Sequence, residues 1–145
     1  MRKLLIFIFI MQTFLTIAFS QNIVISKLKQ PPPNKFGLAD LWEFELINTT
    51  RNELNCYITG TLSEEKEGLI VFAKSKIIKL KPGRQTFSQK DFVNPEINYY
   101  NEKFKQALIR TSQAPEGDYI ICLTVYNEAD EVIGFENCIY HSIRK

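Results

Sequence analysis

Apolar residues in this chain recur at every second position, and that spacing dictates strands with one dry and one wet face. Trp42, Phe44 and Leu46 alternate with Glu43 and Glu45. A second run interleaves Leu54, Cys56, Ile58 and Leu62 with Asn55, Tyr57, Thr59 and Thr61. The polar stretch from Asn48 to Asn52 between them has turn chemistry, so the two runs are expected to form a hairpin. Later, Tyr119, Ile121, Leu123 and Val125 define one strand face, and Ile120, Cys122, Thr124 and Tyr126 the other. A turn over Asn127 to Glu131 leads into a last strand from Val132 to Tyr140.

The intervening segments fit the same scheme. Asn22 to Leu28 reads as a first strand, followed by Pro31-Pro32-Pro33 as a stiff crossing. Leu69 to Ala73 is a short apolar run, expected to be a strand buried on both faces. Ile78 and Leu80 alternate with Lys79 and Lys81 until Pro82-Gly83, the residue pair of a type II turn. Lys74 and Lys76 fall in the opposite parity, which places a bend or bulge near residues 75–77. These lysines suit an edge strand guarded against edge-to-edge pairing; with Arg84 and Lys90 they also suggest an anion-binding patch. One segment departs from the pattern. Asn94 as cap, Pro95 at the first position and Ile97, Tyr100, Phe104 and Leu108 at helical spacing predict a helix from about Pro95 to Leu108. The fold class that follows is all-β: a two-sheet sandwich of immunoglobulin-like or fibronectin-like type, with one short helix in a crossover. Tyr119 and Cys122 lie three residues apart, whereas the immunoglobulin pattern has two, which favours a looser relative of that fold.

The N-terminal residues predict where the chain works. Arg2 and Lys3 precede an apolar run from Leu4 to Phe19 that closes on Ala18-Phe19-Ser20, the arrangement of a secretory signal cleaved between Ser20 and Gln21. Gln12, Thr13 and Thr16 break a run already short for a membrane span. The expected organisation is a signal peptide over residues 1–20 and a single domain over 21–145, secreted, periplasmic or at the cell surface. No cysteine follows the cut that lipid could modify. The whole chain carries 18 Lys plus Arg against 16 Asp plus Glu. Arg2 and Lys3 account for the excess, so the exported domain is neutral, a poor match for the counterion release on which nucleic-acid binding depends.

Three cysteines enter an oxidising compartment, where one pair can bridge. A hairpin turning about Asp130 sets Ile121 opposite Ile139, Val125 opposite Phe135 and Cys122 opposite Cys138 on the outer face. Opposed β-carbons lie within reach of a disulfide. Cys56 shares the dry face of its strand with Leu54 and Ile58 and is expected to remain a buried thiol; the competing pairing joins Cys56 to Cys122. No C-x-x-C motif occurs and His141 is the sole histidine, so no metal site and no cofactor are expected.

Catalysis lacks parts. No nucleophile elbow or phosphate loop is present, and Glu64, Glu65 and Glu67 share one loop instead of facing each other across a cleft. The chain is therefore read as a non-enzyme. Tyr57, Tyr99, Tyr126 and Tyr140 are the candidate binding residues, of the type that stacks on sugars or anchors protein interfaces. Asn48-Thr49-Thr50 matches a glycosylation acceptor.

The segments Asn94-Pro95, Asn98-Tyr99-Tyr100-Asn101, Ile109-Arg110-Thr111 and Pro115-Glu116-Gly117-Asp118-Tyr119-Ile120-Ile121-Cys122 resemble the TANFOR domain of secreted Bacteroidetes proteins. Pro31-Pro32-Pro33-Asn34, Asp40-Leu41-Trp42 and Ile47-Asn48-Thr49 are similar to that domain's beginning. The resemblance implies an exported β domain and brings no established chemistry. Two functions are expected from these readings: a non-catalytic envelope or cell-surface module contacting other proteins in assembly or adhesion, or a glycan-binding module using its tyrosines.

Overall fold

The alternating runs become strands, and the longest of them organise the molecule. The computed structural model describes residues 22–29, 43–88, 91–92, 94–111 and 113–144; residues 1–20, expected to be a signal peptide, the Pro31-Pro32-Pro33 segment, Trp42 and Lys90 lie outside them. In chain order the strands are β1 (Ile23–Lys29), β2 (Glu43–Asn48), β3 (Leu54–Glu64), β4 (Gly68–Lys74), β5 (Ile78–Leu80), β6 (Gly83–Ser88) and β7 (Glu96–Tyr99). Helix α1 (Glu102–Thr111), β8 (Gly117–Asn127) and β9 (Val132–Ile143) follow. They form one curled mixed sheet in the order β6-β2-β1-β9-β8-β3-β4-β7, with β5 beside β3. Pairing is antiparallel except where β1 meets β9, at Ile23 and Gly134.

The sheet curls until β1 and β2 lie over β3 and β8. Ile23, Ile25, Phe44 and Leu46 are buried with Cys56, Ile58, Leu80, Leu123 and Val125 in one cluster. A second cluster gathers Leu62, Ile70, Val71, Tyr119, Ile121 and Ile143 under Phe104 and Leu108 of α1. One inner face of β3 and β8 is thus covered half by strands and half by a helix. Gly134 permits the close β1–β9 approach, because a β-carbon there would sit 3.2 Å from both the Ile23 carbonyl oxygen and the Val125 Cβ.

The expected hairpin of the second and third strands does not form. β2 pairs with β1 and β6, while β3 pairs with β4, β5 and β8. Asn48 is the reason. Its Nδ2 donates to the carbonyls of Asn52 (2.8 Å) and Leu80 (3.0 Å), and its Oδ1 accepts from the Thr50 amide (2.9 Å) and hydroxyl (2.7 Å). This side-chain turn sends the chain across the core instead of back along β2. Asn48 is 2% exposed, so its amide is closed to a glycosylating enzyme in the folded chain.

Three further expectations change. Residues 96–99, read as helix, form edge strand β7 against β4, with Ile97 opposite Ala73 and Tyr99 opposite Val71. Ile97 and Tyr99 pack on the second cluster, and the backbone groups of β4 gain partners that a helix could not supply. The helix starts later, where Asn101 Oδ1 accepts the Phe104 amide at 2.9 Å. Asn94 does not cap it and takes a φ of 50°. In β4, Val71 opposes Leu62 and Leu69 opposes Ser63, leaving Ile70 as a bulge residue. Ile70 and Val71 are both buried but Leu69 is 42% exposed, so the run is not dry on both faces. In β9 a bulge brings Gly134, not Phe135, opposite Val125. The bend at 75–77 and the positive φ of Gly83 (89°) match the sequence reading.

Candidate functional site

Odd-numbered residues from Tyr119 to Val125 fill the core, so the even-numbered residues of β8 face outward, and pairing extends that outer face over β9, β3 and β4. Tyr140, Ile120, Ser63 and Leu69 stand in one row across four adjacent strands. Tyr140 is 58%, Ile120 40% and Leu69 42% exposed. The next row holds Cys138, Cys122, Thr61 and Phe72. Cys122 and Cys138 are joined by a disulfide, with Cα atoms 4.1 Å apart, and Cys138 is exposed. Ile121 opposes Ile139 and Leu123 opposes Asn137, the register from which the bridge was expected.

Of the four candidate tyrosines, the fold brings Tyr57 and Tyr126 together. Their rings stack at 5.2 Å across β3 and β8, and the Lys74 ammonium lies 4.0 Å from the Tyr57 ring centroid. Tyr57 is buried, and its hydroxyl donates to Asp130 Oδ1 at 2.6 Å. That bond, with burial and the Asp130 charge, pushes the phenol up to about 12. Tyr57 is therefore a strut within the sheet and not the exposed aromatic expected of it. Tyr99 is half-buried on the helix-covered cluster, and burial raises its phenol. Tyr140 alone of the four is broadly exposed.

The Tyr140 end of the row is held by polar contacts. Asp118 accepts from Ser142 Oγ at 2.6 Å, from Arg144 Nη2 and from the Tyr140 hydroxyl, and these bonds hold its carboxyl below the usual carboxylate range. Burial and the Asp118 bond raise the Tyr140 phenol. An exposed aromatic ring is thereby kept in one orientation. Glu64, Glu65, Lys66 and Glu116 line a shallow depression beside it.

Several of the described basic residues are paired with carboxylates. Arg84 lies 3.3 Å and Lys27 3.2 Å from the Glu45 carboxylate, and Lys79 lies 3.9 Å from Glu53. His141 is buried opposite Tyr119 on the core face, where burial lowers its pKa. Among the described residues, no group of three or more His, Cys, Asp or Glu could hold a metal ion, and no helix is long and apolar enough to cross a membrane. Cys56 is a fully buried thiol, pushed up to about 11 by burial. Sequence reasoning placed Ile120 on the outer face but did not single it out. Leu69 was missed because only the bulge at Ile70 turns it outward.

No protein-family model and no curated protein matches the sequence. The chain is similar to a part of Pseudomonas fluorescens alkylpurine DNA glycosylase AlkC bound to DNA containing an abasic site analog. The TM-score is 0.50 at 14% identity, over 86% of this chain and 31% of the glycosylase. It is also similar to a part of Bacteroides uniformis beta-glucuronidase 2, with a TM-score of 0.46 at 18% identity over 87% of this chain and 13% of the glucuronidase. The chain spans less than a third of either protein, and the likeness to the glycosylase is one of fold alone.

Proposed function

We propose that this chain is a secreted, non-catalytic contact module of the cell envelope or surface, and that the outer face of β9, β8, β3 and β4 is its contact surface. The observation that carries the reading is the exposed row of Tyr140, Ile120 and Leu69 across adjacent strands of the sheet. Apolar and aromatic side chains ordered on the wet side of a sheet cost solubility, and interfaces recover that cost. The exposed Cys122–Cys138 bridge supports an oxidising compartment, as do the leader and the TANFOR resemblance.

The finer fold reading is a sandwich of immunoglobulin-like or fibronectin-like type. Support comes from β1 and β2 packing over β3 and β8. A second support is Tyr119, near the start of β8, whose hydroxyl donates to the Pro115 carbonyl at 2.9 Å. That local loop resembles the tyrosine corner of such sandwiches. A glycan-binding role is the weaker reading, because the fold buries Tyr57 and leaves Tyr140 apart from Tyr126.

The test is in-cell crosslinking followed by capture of the native chain, compared with Ile120→Asp and Leu69→Ser. Specific envelope partners should be lost in both variants while their melting curves match the wild type. Retention of every partner by both variants would sink the reading, and a glycan-array signal abolished by Tyr140→Ala would replace it with the glycan role.

A further inference from the structure

The end of β9 is held differently from its beginning. Gly134 meets Ile23 of β1, but over residues 138–143 the described residues pair β9 with β8 alone, which makes this last stretch a sheet edge. Its base is fixed covalently by the Cys122–Cys138 bridge. Its outer side is latched where Asp118 accepts from Ser142 Oγ and Arg144 Nη2. Its inner side carries Ile139, His141 and Ile143, and the imidazole of His141, a residue only 4% exposed, stands between two isoleucines that pack on the helix-covered cluster. A proton taken up there would bury a cation among apolar groups, at a much greater cost than placing the same cation in water. A short edge segment can reach water by opening locally, without unfolding the sheet. We infer that the end of β9 is an acid-released strand: protonation of His141 frees residues 139–143 from β8 and from the helix-covered cluster, while the Cys122–Cys138 bridge holds their base.

The groups around the imidazole leave this response to His141. In the ladder Tyr119 of β8 stands opposite His141, and Glu64 of β3 stands opposite Tyr119. That carboxylate is two strands from the imidazole, about 10 Å, with Tyr119 between them. Tyr99 of β7 packs on the same cluster, and the residues that α1 buries there are Phe104 and Leu108; Lys105 lies 6.0 Å from the Tyr99 ring centroid. Burial raises both phenols, so both stay unionised in acid. Burial lowers the pKa of His141 from an ordinary 6.5, so the open strand takes the proton more readily than the closed one. The closed strand is fully favoured above about pH 6.5 and loses that advantage as the pH falls below it. Asp118, held below the usual carboxylate range, keeps the outer latch charged in mild acid. Release therefore starts from the inner side.

His141 is the sole histidine, so a single imidazole resonance reports it by NMR in the exported chain. It should titrate below pH 6.5. Over residues 139–143, amide-exchange protection, corrected for the intrinsic pH dependence of exchange, should fall about tenfold between about pH 7 and about pH 5. Protection there should stay below that of β3 at both values, the mark of a local opening. His141→Phe should abolish the fall, and His141→Gln serves the same purpose if the larger ring does not fold. Asp118→Asn should lower protection at 139–143 at both pH values and leave the fall between them in place. An imidazole that titrates at or above pH 6.5 overturns the inference, as does a fall that survives both His141 variants. So does protection at 139–143 equal to that of β3 at about pH 5, because the strand would then open only with the whole molecule. A fall abolished by Asp118→Asn would assign the response to the outer latch and overturn it equally.

Discussion

Cys56 and Tyr57 are consecutive on β3 and meet opposite surroundings. Cys56 points into the cluster beneath β1 and β2, while Tyr57 points outward and is then covered by Lys74, Tyr126 and the Asp130 turn. Alternation places side chains on a face but does not say what else will lie on that face. This is why Tyr57 read as exposed from the sequence, although its true parity was legible. Tyr57 and Tyr119 are both pushed up to about 12 from an ordinary 10, Tyr57 chiefly by the Asp130 bond and Tyr119 chiefly by burial. Folding therefore favours their unionised forms. That contribution is complete below about pH 10 and is lost as the pH climbs toward about 12. Tyrosinate absorbance should show two phenols that ionise only in this upper window, accompanied by falling stability. Tyr57→Phe should remove one of them and lower neutral-pH stability by about 1 kcal/mol. A Tyr57 phenol titrating near pH 10 in the folded protein would contradict the bond to Asp130.

At the scale of the element, α1 is short and depends on its ends. Its first turn is fixed by the Asn101 side chain on the Phe104 amide, and its apolar face consists of Phe104 and Leu108. Asn101→Ala should cost about 1 kcal/mol of stability in chemical denaturation, and Asn94→Ala should not reproduce that loss as a cap. An equal helix-capping loss at both positions would argue for the longer helix. That longer helix was the natural reading, since Ile97, Tyr100, Phe104 and Leu108 keep helical spacing through the whole segment. What the spacing could not reveal is that β4 needs a neighbour on its outer edge, which Ile97 and Tyr99 satisfy at period two. β6 went unread for a related reason. Arg84, Gln85 and Thr86 carry little apolar signal, and the strand exists because β2 offers it a full ladder. By contrast, β3, β8 and the early part of β9 were legible, because a half-buried strand writes its faces directly into the alternation.

At the scale of the molecule, the Cys122–Cys138 bridge ties the two strands of the last hairpin on its outer face. The two cysteines are 16 residues apart, so replacing both with serine should lower stability by about 2 to 3 kcal/mol while leaving the fold intact. Unreduced peptide mapping should recover that bridge, and Cys56 should react with thiol reagents only after unfolding. A disulfide peptide containing Cys56 would refute the pairing and the facing of β3 together. The bridge was legible because two directly opposed positions are a local matter of hairpin register. The sheet order was not, since which strands meet across the core depends on turns such as Asn48 and on contacts distant in sequence.

The parallel seam between β1 and β9 carries a consequence for time. Ile23 meets Gly134, and the Asn137 side chain reaches the Ile25 carbonyl across 112 positions. Hairpins such as β3–β4 and β8–β9 can zip quickly because their halves are neighbours in the chain. The seam cannot: it is reached only by a slow search, of the kind that places all-β topologies in milliseconds to seconds. A ribosome emits β1 early and β9 last, so the first strand leaves the tunnel without the neighbour it will eventually hold. Until residue 134 has emerged, β1 has only β2 to hold, so the seam closes after the hairpins whose halves are neighbours in the chain.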